Sequence, residues 1–311
     1  MLERGNKFIE KWMALVTPLC MLVGISFPDV AAHGLPYVTV VFAFITFTGA
    51  LKSEFKDILR VFHDPKPLLC MLVMIHVVIP AAACGAGHLF FGSDPYAITG
   101  MVLEFSVPTA VVGLMWVTIY NGNNPLSLSL VVIDTILSPF LIPVTLRVLV
   151  GSQVEIDATM MMRQLIFMVA LPAIAAMVLN QVTHGAVKNT WPKKLALFSK
   201  FALMFVVTSN SSKVAPYVRH MNLERVAIGA AILVLAAGSY ALGRGVARVL
   251  HQDKETTISM IYGTGMRNIS AGAVIAGACF PGAVMYPVMI GTLFQQVLAA
   301  FYGKALVSKL E

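Results

Sequence analysis

The 311-residue sequence predicts an all-α integral membrane protein. Ten transmembrane helices are expected, in two inverted five-helix repeats with broken, crossing helices 4 and 9. Three observations carry this expectation. The chain is 58% hydrophobic and only 12% charged, with mean hydropathy +0.82, whereas a soluble domain carries about 25% charged residues. Uncharged runs recur at Pro67–Ser93, Phe105–Ile133, Val226–Gly243 and Asn268–Gly303, on the scale of the roughly 20 apolar residues that one span needs. Finally, helix-breaking residues interrupt two spans at matching places.

Span 1, about 12–28, follows a mixed-charge stretch, Met1–Lys11, with no small-residue cleavage site behind it, so no removable signal peptide is expected. Span 2, about 34–51, ends in Thr46-Phe-Thr-Gly-Ala-Leu-Lys-Ser53, and span 3, about 68–92, contains His76 ahead of Pro80. Span 4, about 96–120, is interrupted at Val107-Pro108-Thr109 and joins span 5, about 125–149, through the short turn Asn121-Gly-Asn-Asn-Pro125. Span 6 covers about 160–182. Span 7, about 196–212, closes on Thr208-Ser-Asn-Ser-Ser-Lys213, much as span 2 closes on a polar end. Span 8 covers about 226–246. Span 9, about 256–280, is interrupted at Gly263-Thr-Gly-Met-Arg-Asn268 and joins span 10, about 283–303, through Pro281-Gly282. Residues 12–149 and 160–303 therefore read as two copies of one five-span unit within a single transporter domain, 1–311. Five is odd, so the second copy enters the bilayer upside down, and inverted repeats with matching broken helices are the mark of secondary transporters.

Charge supports this topology. A cytoplasmic N-terminus places Arg4, Lys7, Lys11, Lys52, Lys56, Arg60, Lys66, Lys188, Lys193, Lys194, Lys200, Arg244, Arg248, Lys254, Lys304 and Lys309 inside. It leaves Arg147, Arg163, Lys213, Arg219 and Arg225 outside or at the outer rim. Sixteen against five is a clear positive-inside bias. The net charge of +7 is thus explained by topology, and no nucleic-acid partner is expected. An even span count returns the C-terminus to the cytoplasm, in a multi-pass protein of the inner (plasma) membrane. The four cysteines, Cys20, Cys70, Cys84 and Cys279, lie in apolar segments without CxxC spacing and read as small buried hydrophobes.

The breaks are where chemistry is expected. Inside hydrocarbon every backbone N–H and C=O needs a partner. Pro108 has no N–H, and its ring clashes with the carbonyl four residues back. Gly263 and Gly265 weaken the helix and permit close backbone approach. The half-helix following each break presents N–H groups that favour anions, with Thr109 and Asn268 as expected caps. At about 1.5 Å per residue, Glu104, Asp134 and Arg267 all fall near the middle of a core about 30 Å thick. Arg267 is the one Lys or Arg between Lys254 and Lys304. A charge at that depth costs roughly 2.5–3.5 kcal/mol on insertion scales, so a salt bridge to Glu104 or Asp134, an anionic substrate, or both are expected to offset it. A proton-linked role is open to the carboxylate that Arg267 does not hold. His76 reads first as a packing histidine and second as a proton relay. Asn210, with Ser211 and Ser212, is a candidate cavity lining, as is Thr264. No HExxH, GxSxG, P-loop or CxxC motif is present, so an enzyme is not expected.

At these residues the chain resembles the bile acid:sodium symporter family, in a bacterial-type form with altered sodium-site residues. The resemblance covers most of the chain. It is strongest at Phe47-Thr-Gly-Ala-Leu-Lys-Ser-Glu-Phe-Lys56, from Ser106-Val-Pro-Thr109 through Ser138-Pro139, and at Gly263–Asn268. It implies alternating access, with a panel of spans 1, 2, 6 and 7 moving against a core of spans 3–5 and 8–10, and a small organic anion as substrate. The family's span 9 carries Glu-x-Gly-x-Gln-Asn, whose Glu and Gln help hold sodium. Here Gly265 and Asn268 match, but Gly263 stands for the Glu and Arg267 for the Gln. The family's Ser-Asn pair in span 4 corresponds to Gly113 and Leu114. Of two hydroxyl ligands in span 5, Ser127 is kept and Val131 replaces the other, and Ile75 stands for a glutamine of span 3.

These departures remove most of the hard oxygen ligands that sodium wants and put a permanently charged guanidinium in their place. The expectation is a secondary transporter of an organic anion that is not sodium-coupled, with Arg267 as tethered cation or substrate anchor. No cofactor is expected, the lipid bilayer is the surroundings, and a monomer suffices. A proton-coupled or facilitative carrier of small carboxylates, and a ligand-binding membrane sensor or scaffold that moves nothing, are the alternatives.

Overall fold

The computed structural model describes residues 2–56, 65–152 and 154–305, so Arg60 and Lys309 of the charge count lie outside the described residues. Within them every regular element is helical. The first half comprises α1 (Leu2–Ser26), α2 (Pro28–Ala32), α3 (Val38–Ala50), α4 (Pro65–Val73), α5 (Ile79–Phe91), α6 (Pro95–Ser106), α7 (Gly113–Ile119) and α8 (Asn124–Val150). The second half comprises α9 (Ala158–Leu165), α10 (Leu171–Val182), α11 (Ala186–Arg219), α12 (Leu223–Val249), α13 (Lys254–Gly265), α14 (Ile269–Cys279) and α15 (Gly282–Ala305).

Among the described residues, seven continuous stretches are long and apolar enough to cross a bilayer: Pro28–Ala50, Pro65–Phe91, Asn124–Val150, Ala158–Val182, Ala186–Arg219, Leu223–Val249 and Gly282–Ala305. Shorter apolar helices, Leu15–Ser26 and Ile269–Cys279, accompany them. The outward faces carry large apolar side chains, including Leu22, Val73, Phe140, Val148, Val234 and Val297. In water such faces would be a liability. Against lipid tails they cost nothing, because the chain satisfies its backbone polar groups within helices. The protein is an integral membrane protein.

Local sequence explains where the helices start and bend. Asp94, Asn123, Asp157, Asn222 and Asp253 cap α6, α8, α9, α12 and α13, each side-chain oxygen accepting a backbone N–H of the first turn. Between α4 and α5, and between α9 and α10, the helix widens into a single five-residue turn, Met74–Val78 and Ile166–Ala170. Both are followed closely by a proline, Pro80 and Pro172. Pro80 cannot donate to the carbonyl of His76, and the hydroxyl of Thr145 on α8 approaches that carbonyl at 3.4 Å instead.

Glycines set the closest helix contacts. A Cβ at Gly243 of α12 would lie 2.5 Å from the Met260 carbonyl and 2.2 Å from the Thr264 hydroxyl, so α12 and α13 pack backbone to backbone. Gly100 of α6 similarly meets Val284 and Pro287 of α15. One turn further along the same pair of helices, Glu104 of α6 lies against Gly291 of α15, where a Cβ would fall 2.1 Å from Oε1. One member of each pair, α6 and α13, ends at a break.

Candidate functional site

Span 4 is broken between Ser106 and Gly113, and span 9 between Gly265 and Ile269. The two breaks meet. The Ala110 amide donates to the Met266 carbonyl at 3.1 Å, and the Asn268 amide donates to the Pro108 carbonyl at 2.8 Å. Thr109 and Arg267 are thus paired as one antiparallel bridge. Each extended segment supplies partners for the backbone groups that the other's missing helical turn leaves free, which is how a double break survives in a dry core.

Asn268 caps α14 as expected, its side-chain oxygen accepting the Ala271 amide at 3.3 Å. Thr109 does not cap α7. That helix starts four residues later, at Gly113, without a side-chain cap. The Thr109 hydroxyl instead donates to the carbonyls of Gly263 at 2.9 Å and Met266 at 3.2 Å. Gly113 packs near Met266, and Gly265 lies beneath the Tyr240 ring, where a Cβ would come within 2.3 Å of ring carbons.

Asp134, fully buried on α8, binds the crossing to α4–α5. Its Oδ1 accepts from Nε2 of His76 at 2.7 Å, and its Oδ2 accepts the Thr109 amide at 2.6 Å. The expected salt bridge of Arg267 to a carboxylate is absent. Among the described residues no ion pair within 4.0 Å reaches Arg267, and Nε, Nη1 and Nη2 all lack a hydrogen-bond partner although the residue is 2% exposed. Asp134 and Glu104 remain its electrostatic neighbours, with the Tyr240 phenol. At Asp134 the physical reason is competition, because His76 and Thr109 already occupy its two oxygens; the Glu104 carboxyl is seated against Gly291, with Oε2 unpartnered. Only the main chain of Arg267 is tied, its amide donating to Oε1 of Gln295 at 3.0 Å. Sequence reasoning missed Gln295. The Gln295-Gln296 pair inside an otherwise apolar span was the available signal.

The other candidates divide. Ser127 is buried on α8 with an unpartnered Oγ. Thr264 turns away from the crossing, donating to Met260 O at 2.7 Å and approaching Ser239 O of α12 at 3.2 Å. Gly263 faces Leu130 and Met71, where a Cβ would meet side-chain atoms at 2.7 and 2.9 Å. Asn210 of α11 is remote from Asp134 in sequence and lines a separate narrow cleft with Val206, Ile269, Ser270, Met289 and Thr292. That cleft lies between α11 and the first turn of α14, and the Asn210 side-chain nitrogen is buried there without a partner. Lys213, one turn on, donates to the Gly277 carbonyl at 2.6 Å and ties α11 to the far end of α14.

Crossed broken helices inside an all-helical membrane protein define a membrane transporter. The Sodium Bile acid symporter family model matches residues 39–221, and the chain belongs to that family. It is 38% identical over 294 residues to the uncharacterized protein YbaS of Bacillus subtilis, covering 94% of this chain and 95% of that one. It is 22% identical over 295 residues to the uncharacterized sodium-dependent transporter YocS of the same organism, covering 93% and 89%. The probable sodium/metabolite cotransporter BASS1, chloroplastic, of Arabidopsis thaliana is 22% identical over 261 residues, or 82% of this chain and 63% of that protein.

Proposed function

We propose that this chain is a secondary carrier of a small organic anion, works by alternating access, and is not driven by sodium. In this reading the helices form ten crossings: α1, α2–α3, α4–α5, α6–α7, α8, α9–α10, α11, α12, α13–α14 and α15. Both termini are cytoplasmic, in the inner (plasma) membrane. Crossings 1, 2, 6 and 7 form a panel that moves against crossings 3–5 and 8–10, and the repeats are 12–149 and 160–303. The protein is a carrier and not an enzyme.

The observation that carries the reading is Arg267: a guanidinium without one hydrogen bond, buried at the junction of two broken helices. A buried charge with donors to spare needs counter-charge. Glu104 and Asp134 provide it from a distance, and Arg267 does permanently what a bound cation would do in a sodium carrier. The position where the family carries a sodium-binding Glu is Gly263, and Leu130 and Met71 fill the space a side chain there would need. Ser127 alone keeps a family hydroxyl.

In this reading the substrate path runs along the seam between α11 and α14, where the Asn210 side-chain nitrogen is unpartnered; the cleft there, about 10 Å³, is closed to an organic anion in this arrangement and opens when the panel moves. Uptake of carboxylates and sulfonates into proteoliposomes, in sodium against choline medium, tests the reading. Equal uptake in both media is expected, and a strong sodium requirement would overturn the uncoupling. Thermal stabilisation by an anion without any flux would favour a sensor over a carrier.

A further inference from the structure

We infer that Lys213 is a positioning residue that latches the outer end of the seam between α11 and α14. Its ammonium, seated on the Gly277 carbonyl, holds the seam shut, and the seam opens outward when that contact breaks. Which side is outer, and which helices move, rest on the carrier reading above. The contact itself does not.

The sequence makes the socket. α14 ends at Cys279, and the last carbonyls of a helix need partners from elsewhere. The Phe280 amide still reaches the Ala276 carbonyl at 3.1 Å. The next carbonyl, that of Gly277, would take the amide of residue 281, but that residue is Pro281 and has no N–H. Lys213 fills the gap from α11, its Nζ donating to the Gly277 carbonyl at 2.6 Å. A cation also suits the negative end of a helix. A core helix is thus capped by a side chain of the panel.

The two helices meet closely at this point. A Cβ at Gly277 would lie 3.7 Å from Lys213 Nζ and 3.8 Å from Asn210 Oδ1, so both side chains reach over this glycine. A Cβ at Gly282 would fall 3.4 Å from the Lys213 carbonyl oxygen and 3.5 Å from the Tyr217 ring. Tyr217 faces the ring of Tyr286 on α15, with centroids 6.5 Å apart. Asn210, Lys213 and Tyr217 therefore form one face of α11, running at helical spacing from the closed cleft to the end of the helix. Of the three, Lys213 supplies the charged hydrogen bond to α14.

Its position makes the contact reversible. Lys213 is only half-buried, so water can take over both the ammonium and the carbonyl when they part. The Thr109–Arg267 bridge differs, because parting there would strand backbone groups in a dry core. A gate needs a bond of the first kind.

The test reads access from each side and needs no substrate. In the full chain Cys20→Ala, Cys70→Ala, Cys84→Ala and Cys279→Ala remove the native thiols. Ser270→Cys, in the first turn of α14 and in the wall of the cleft, is the reporter. A membrane-impermeant maleimide is added to spheroplasts for the outer side and to inside-out vesicles for the inner side. Lys213→Met in this background is expected to label about tenfold faster from outside, the factor that about 1.4 kcal/mol of lost closure gives, and no faster from inside. Lys213→Arg, which keeps a charged donor, should lie nearer the parent. If Lys213→Met does not fold, Lys213→Gln takes its place with the same expectation. Unchanged outer labelling overturns the latch. So does acceleration from the inner side, which marks a loosened fold. Faster outer labelling in a protein that takes up no carboxylate or sulfonate would sink the carrier reading and leave the latch standing. Uptake with unchanged outer labelling would do the reverse.

Discussion

Asn268 donates its backbone N–H to the carbonyl of Pro108 across 160 residues of chain, at 2.8 Å. Proline removes a donor from span 4 and glycine loosens span 9, and the two injuries are repaired by each other. The neighbouring contacts give this junction its stability, and each can be removed singly.

Thr109→Val keeps the shape of the side chain and deletes the hydroxyl that donates to the Gly263 and Met266 carbonyls. The Gly263 carbonyl then loses its side-chain partner in a dry core, while the Met266 carbonyl keeps the Ala110 amide. The expected loss is about 1–3 kcal/mol, read as a lower melting temperature in detergent. Thr109→Ser, which retains the donor, should lie close to wild type. Equal melting of Thr109→Val and wild type would mean that the hydroxyl contributes nothing to the junction.

Much of this junction was legible in the sequence. Pro108 and the Gly263–Gly265 pair announce breaks because they disable helical hydrogen bonding wherever they sit, and Asn268 announces a cap because its chemistry is local. The reading failed where a side chain had a choice between distant partners. Thr109 chose carbonyls on another element over its own amides, and Asp134 chose His76 and Thr109 over Arg267. Such outcomes depend on which groups 25 to 154 residues apart arrive within reach. Periodicity carries no information about that.

Close packing of α12 on α13 gives a sharper contrast. Gly243→Ala would put a methyl group 2.5 Å from the Met260 carbonyl oxygen, a backbone atom that cannot step aside. The expected cost is about 1–3 kcal/mol. On the same helix a Cβ at Gly245 would meet nothing within 4 Å, and Gly245→Ala should be neutral or gain up to about 1 kcal/mol from helix propensity. Thermal melting of the two variants side by side decides it. Similar melting for both would show that the helices can separate at little cost.

At the cytoplasmic end assigned above, the Glu54 carboxylate after α3 is bound by Lys188 of α11 and by Lys56. These hydrogen bonds, with Lys188 foremost, hold its carboxyl below the usual carboxylate range. A carboxyl depressed in the folded state contributes stability above its unfolded value of about 4.3, and loses it as pH falls through the folded value. Because the lysines are partly exposed, the contribution is at most about 1 kcal/mol. Wild type should therefore lose its margin over Glu54→Gln when melting is measured from pH 6 down to pH 3. A margin that does not change with pH would mean that the pair is held by packing and not by charge.

Arg267 and Glu104 provide the most demanding prediction, because they share a dry layer without touching. In Arg267→Gln the main-chain contact to Gln295 can persist, but Glu104 and Asp134 lose the positive charge that balances them. In Glu104→Gln the guanidinium loses one of its two acidic neighbours. Each single substitution should lower stability, and the double substitution should cost less than the sum, with a coupling of about 1–3 kcal/mol. Strict additivity in detergent melts would show that the two charges do not sense each other. Uptake should behave differently from stability. The double variant regains its fold without regaining the tethered cation, so anion uptake should stay lost in both Arg267→Gln and Arg267→Gln/Glu104→Gln. Recovery of uptake in the double variant would mean that removing the two groups together restores the balance of the layer and that the positive charge at Arg267 has no part in transport.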